Sequence, residues 1–238
     1  MELLKIRKEL RERADEKYRV FQSALIPGVE NFLGVRRPGL RKMASAILKE
    51  DGMAFAECAG RDSFEEIMLK GLVTAGLPLP ADELIPLVRA YVPEITDWCL
   101  CDTFCNELKA AKADREKYWD FIQPYLRSDK EFEARFGAVM ILEHYICDPW
   151  IDRALEALFQ VKQPDYYAQM AVAWAYSMCY VKYPEKTESY LAEHRLSEFT
   201  YKKTISKIRD SLPVPGEVKD RLKKFGFQNS DGIKEQKE

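Results

Sequence analysis

From Leu3 to Leu25 the apolar positions Leu3, Ile6, Leu10, Ala14, Tyr18 and Phe21 recur three or four residues apart. That spacing lines one face of a helix with 3.6 residues per turn, so a single amphipathic helix is predicted there. Gly28 and Gly34 interrupt the pattern, and Pro38 opens the next helix, in which Leu40, Met43, Ala44 and Ile47 share one side and Arg41, Lys42 and Lys49 are left to water. Similar periodicity runs through residues 63–75, 81–91, 97–109, 114–126, 130–146, 149–161, 165–181, 184–191 and 197–211. No segment alternates with period two, and no strand is predicted.

Proline or glycine punctuates most junctions, at Gly60, Pro78, Pro80, Pro93, Pro149, Pro164, Pro184, Pro213 and Pro215. Short connections between helices of this length favour antiparallel neighbours. The helical segments also resemble one another: an aromatic residue, an apolar residue four positions on, then small residues occur from Phe132 and again from Tyr166, 34 residues later, and the segment from Phe64 fits at twice that offset. A period of this size predicts an all-α protein, an α-solenoid of stacked helical pairs in the HEAT or TPR size range with a concave face. One domain is expected over residues 1–227, followed by a disordered polar tail at 228–238.

The 238 residues are 47% hydrophobic and 32% charged, which excludes an intrinsically disordered chain, and no apolar run is long enough to cross a bilayer. With 37 Lys and Arg against 39 Asp and Glu the net charge is -2, so any attraction for nucleic acid must come from local basic faces. Six cysteines at 58, 99, 101, 105, 147 and 179 contain no Cys-x-x-Cys pair. Cys99, Cys101 and Cys105 cannot all point to one tetrahedral centre from a regular helix, and only His144 and His194 could add imidazole ligands, so no metal is expected. The charged first helix has no secretory pattern, and free thiols then imply the cytoplasm.

Four residues break the amphipathic pattern. Trp98 and Asp102 stack one turn apart in a run that is otherwise nearly all apolar. A carboxylate there faces solvent, pairs with a neighbouring helix, or has a use. Arg135 falls on or beside the stripe formed by Phe132, Phe136, Val139 and Leu142, where it either snorkels or binds an anion. Trp174 sits among small residues, an ordinary core setting for an indole. Taken together, one Asp, two Trp and one Arg on one face would suit a cationic sugar-like species attached to phosphate. Trp119 and Trp150 carry no pattern.

At these residues the chain resembles the AlkD-type DNA alkylation repair glycosylases, all-helical proteins of HEAT-like repeats. The likeness rests on the segment Gly34-Val-Arg-Arg-Pro-Gly-Leu-Arg-Lys-Met-Ala, on Trp98-x-x-x-Asp102, on Arg135 in the following repeat and on Trp174, and it extends from the first helix to about Phe227. It implies a monofunctional glycosylase that releases N3- and N7-alkylated purines from duplex DNA, needs no cofactor and leaves an abasic site. Asp102 would stabilise the sugar cation and direct water, Trp98 and Trp174 would flank the sugar, and Arg135 would hold a phosphate. No lysine lies within the matched motifs, so no lyase step is expected, and a monomer without membrane attachment is expected. Two departures from the family stand out: the acidic net charge, and Ser177 where the family tends to carry an arginine. Basic clusters remain at Arg36, Arg37, Arg41 and Lys42 and at Lys202, Lys203, Lys207 and Arg209, either DNA-binding or plain solvated surface. The alternative function is a catalytically weak or inactive repeat module that binds DNA structure or a protein partner.

Overall fold

The computed structural model describes residues 3–192 and 196–222. Among these, every regular element is helical: α1 (Leu3–Glu12), α2 (Glu16–Leu25), α3 (Arg37–Glu50), α4 (Gly52–Cys58), α5 (Phe64–Gly76), α6 (Ala81–Tyr91), a 3-10 turn (Val92–Glu94), α7 (Trp98–Glu107), α8 (Ala110–Ala113), α9 (Arg115–Leu126), α10 (Glu131–His144), α11 (Ile151–Phe159), α12 (Tyr166–Lys182), α13 (Pro184–Ala192), α14 (Glu198–Asp210) and α15 (Gly216–Leu222). The all-helical expectation holds. So does the repeat: α5, α7, α10, α12 and α14 begin 32 to 35 residues apart. The expected tail at 228–238 and His194 lie outside the described residues.

The single helix expected from Leu3 to Leu25 is two. Asp15 adopts an extended backbone and its carboxylate accepts from the Tyr18 N–H at 3.0 Å, so it caps a fresh helix and resets the phase. Phe21, on the predicted inward stripe, is consequently 60% exposed.

Contacts group the chain into two compact units, residues 1–121 and 122–238, with the boundary inside α9. In the N-terminal unit α5 is the central element, packed against α1, α3, α4, α6 and α7. It is capped by Ser63, whose hydroxyl accepts from the Glu66 N–H at 3.1 Å. Because α5 is buried on nearly every side, two of its carboxylates are buried as well, and both are satisfied. Glu65 accepts from the backbone N–H groups of Leu33, Gly34 and Val35 at 2.9, 2.7 and 3.1 Å. Glu66 takes two bonds from the Arg7 guanidinium, at 2.8 and 3.0 Å, and one from the Gly60 N–H at 2.7 Å. Charge-assisted bonds of this kind offset the cost of burial. They also pin α1 and the loop before α3. That loop turns at Gly34, with φ +89°, where an added Cβ would collide with the Asp15 carbonyl and sit 2.9 Å from the Arg19 backbone nitrogen.

In the C-terminal unit α12 packs against α10 on one side and α14 on the other, with α11 and α13 also against it. Ala168, Ala171, Ala173, Ala175, Ser177 and Cys179 are buried, small side chains that let two neighbours approach one helix. On α10 Gly137 serves the same end, since an added Cβ would lie 2.9 Å from the Leu126 side chain. Rings join the first turns of the three helices: Phe132 to Tyr167 at 5.5 Å and Tyr166 to Phe199 at 5.9 Å. Thr200 also bonds Gln169 at 3.1 Å, so α10, α12 and α14 run in the same direction, as successive repeats do.

Removing the charge or the glycine from the α5 anchor tests its weight. Glu65→Gln should lower stability to urea by about 1–3 kcal/mol, because three backbone donors lose an ionised acceptor. Gly34→Ala should cost more than Gly28→Ala, since both glycines have positive φ but nothing lies within 4 Å of an added Cβ at Gly28. Equal losses for the two alanine variants in urea titrations would contradict the crowding at Gly34.

Candidate functional site

In the N-terminal unit the candidate residues gather on α7 and α3. Asp97 starts α7, its buried carboxylate accepting from the N–H groups of Cys99 at 2.7 Å and Leu100 at 3.0 Å. That cap sets the helix phase. Cys99, Leu100, Cys101, Thr103, Phe104 and Cys105 turn into the core, while Trp98, Asp102 and Asn106, four apart, remain half-exposed on one stripe. The indole is anchored at its edge by a hydrogen bond from Nε1 to the Leu25 carbonyl at 3.2 Å.

Two arginines of α3 reach across to α7. Arg37 donates to the Cys99 sulfur at 3.2 Å, and Arg41, one turn later, donates twice to the Glu107 carboxylate at 2.9 and 2.7 Å. Burial pushes the Cys99 thiol up to about 11, Arg37 draws it down, and Asp97 and Asp102 oppose that pull. Arg37, Cys99 and Asp102 therefore share one electrostatic neighbourhood. Arg36 lies over the Tyr18 ring at 4.8 Å and donates to Asp15 at 2.9 and 3.2 Å. The Tyr18 N–H and Arg36 hold the Asp15 carboxyl below its ordinary range. Lys42 points elsewhere, lining a surface groove with Glu9 and Arg13 of the α1 end of the chain.

In the C-terminal unit α12 leaves one stripe partly open: Met170, Trp174 and Met178, spaced four apart. Trp174 is thus half-exposed, while Trp119 and Trp150 are buried core residues. Arg135 on α10 is only 5% exposed and donates from Nη1 to the Tyr167 carbonyl at 2.8 Å, which orients the guanidinium along α12. Ser177 is buried, its hydroxyl turned back onto the Trp174 carbonyl at 2.7 Å. Lys202 is exposed and paired with Glu198, and Lys203 lies over the Phe199 ring at 5.6 Å. Each unit therefore carries two of the four candidate residues: Trp98 and Asp102 share a helix in one, and Arg135 and Trp174 sit on packed neighbours in the other. Among the described residues no group of three or more His, Cys, Asp or Glu is arranged to hold a metal ion.

A family model described as DNA alkylation repair enzyme matches residues 6–208. The chain belongs to that family. All four candidate residues, and Lys202, Lys203 and Lys207, fall inside the matched span. No curated protein and no solved structure gives a match. Membership in the alkylation repair family makes this an enzyme family whose partner is DNA, and no helix among the described residues is long and apolar enough to cross a membrane.

The six thiols of this alkylation repair family member divide by burial. Cys58 is exposed, Cys147 half-buried, and Cys99, Cys101, Cys105 and Cys179 buried, with burial pushing Cys179 up to about 12. At pH 8 a maleimide followed by mass spectrometry should label Cys58 first and Cys99 about 100-fold more slowly or less, because so little thiolate forms there. Raising the pH toward 11 should speed labelling at Cys99. Early labelling of Cys99 at pH 8 would show that the Arg37 contact outweighs burial.

Proposed function

We propose that this protein is a monofunctional DNA glycosylase that hydrolyses the N-glycosidic bond of N3- or N7-alkylated purines in duplex DNA. The observation that carries the reading is the half-exposed Trp98 and Asp102 stripe on α7, with Arg37 and Arg41 drawn to the same helix, in a chain of the alkylation repair family. An alkylated purine of this class already bears positive charge, so it departs without acid help. As the C1′–N bond lengthens, its electron pair neutralises the purine and the deoxyribose takes on oxocarbenium character. Asp102 stabilises that charge in its partly desolvated setting and accepts the proton of the water that adds to C1′. The products are a neutral free base and an abasic site.

Trp98 contributes a ring face to the sugar cation, an interaction of roughly 0.5–2 kcal/mol. In the C-terminal unit, Trp174 presents its partly open indole to backbone sugar, and Arg135 holds a phosphate. Arg36, Arg37, Arg41, Lys202 and Lys203 supply further backbone contacts, while Lys42 points away from them. Within this reading a single domain over residues 1–227 acts as a monomer with no cofactor. A second reading keeps the fold and DNA or protein binding but little catalysis. It is favoured by the net charge of -2 and by Ser177, which offers no cation beside Trp174.

The two readings separate in a base-release assay on duplex DNA containing N7-methylguanine. The wild-type chain should release the base well above the spontaneous rate. Asp102→Asn should lose about 100-fold or more of that rate while its circular dichroism and urea midpoint stay put. Release at the spontaneous rate by the wild type, with salt-sensitive binding retained, would favour the second reading.

A further inference from the structure

The half-exposed residues of α14 form their own stripe: Phe199, Lys203 and Lys207, each four apart. Because the first turns of α12 and α14 are joined through Tyr166 and Phe199, the register sets Lys207 level with Trp174 and Lys203 level with Met170. On the other flank of α12, Arg135 is one turn beyond Phe132, whose ring meets Tyr167, so it too lies level with Met170. Three cations thus border the open stripe of α12 from its two neighbours.

Like charges one turn apart repel, and burial raises that cost. Burial lowers the Lys207 ammonium from its ordinary range, Arg135 and Lys203 lower it further, and Asp210 opposes them. Lys207 makes no hydrogen bond or salt bridge among the described residues, and Lys203 makes only its ring contact. Lys203 and Lys207, one turn apart with no carboxylate bonded to either among the described residues, repel each other in the isolated protein and favour a bound anion.

We propose that Arg135, Lys203 and Lys207 form one phosphodiester-binding site, gripping a single DNA backbone phosphate over the Trp174 stripe from both sides of α12. This rests on the proposed function for the identity of the partner and extends it by naming Lys207 as a principal ligand. Ser177 then needs no charge of its own, because the cation beside Trp174 comes from the next repeat. Lys207 acts by holding DNA and takes no part in bond cleavage.

The test measures affinity of the full chain for an undamaged fluorescent duplex across a range of chloride concentrations, alongside base release from an N7-methylguanine duplex. Lys207→Met keeps the alkyl stem and should weaken binding about tenfold, with the slope of log K against log salt shallower by about 0.9, the value for one lost phosphate contact. Lys207→Arg should restore both, and Lys49→Met, on an exposed face of α3, should change neither. The urea midpoint of Lys207→Met should not fall. An unchanged slope in Lys207→Met overturns the site, as does equal loss of binding in Lys207→Arg. Inorganic phosphate distinguishes the source of the ligand: its effect on the wild-type midpoint should persist in Lys207→Met. Loss of that effect with DNA binding intact would identify a free-phosphate site and overturn the proposal. If the wild type releases no base yet Lys207→Met still shows the shallower slope, the phosphate site stands and the glycosylase reading fails.

Discussion

Two buried carboxylates on one helix govern how the N-terminal unit is put together. Glu65 and Glu66 sit side by side on α5 with almost no exposure, and every strong donor around them belongs to a different segment: the 33–35 backbone, Arg7 of α1, and Gly60. An ionised group in such a place costs several kcal/mol unless it is surrounded by donors, so these segments cannot drift without exposing the charge to an apolar medium. The Glu65 bonds end at Val35, immediately before Arg36 and Arg37. Anchoring the loop therefore anchors the arginines. From there the chain of cause runs through Arg37 to Cys99, and hence to the helix that carries Trp98 and Asp102.

The C-terminal unit solves a different problem, how to place one helix between two others and still leave part of it open. Small residues at 168, 171, 173, 175, 177 and 179 admit α10 and α14. A large indole at 174 has no room on those sides and remains on the uncovered stripe with two methionines. The open face of α12 is thus a by-product of close packing elsewhere on it. Arg135 follows the same logic, because its stem is buried between α10 and α12 and its head finds the Tyr167 carbonyl.

Much of this was legible before any coordinates. The 34-residue offset between Phe132 and Tyr166 reappears in the spacing of α5, α7, α10, α12 and α14. The break at Asp15 was missed because apolar spacing persists across it, and a pattern of side chains does not report a backbone that leaves the helix for one residue and restarts. The short α4 at Gly52–Cys58 was missed for want of length. Trp174 read as core, since exposure depends on which neighbours cover a helix and not on its own sequence. The proposed role of Lys207 is least visible in the sequence: its residue type is ordinary, and only its register against Trp174 sets it apart.

Net charge is a poor guide to what such a surface binds. Arg36, Arg41 and Lys202 are matched by Asp15, Glu107 and Glu198, exposed pairs of the kind worth about 0–1 kcal/mol. A phosphodiester can displace a solvated carboxylate at little cost, so these arginines and lysines remain available although they balance acids in the sum. Lys203 and Lys207 need no such exchange, because no described carboxylate bonds them. A formal charge of -2 over the whole chain therefore does not prevent a local group of cations from favouring an anion. The leaving group of the proposed reaction is a cationic purine. A base that leaves without a proton donor asks of a protein only a fixed negative charge, aromatic faces and a grip on phosphate.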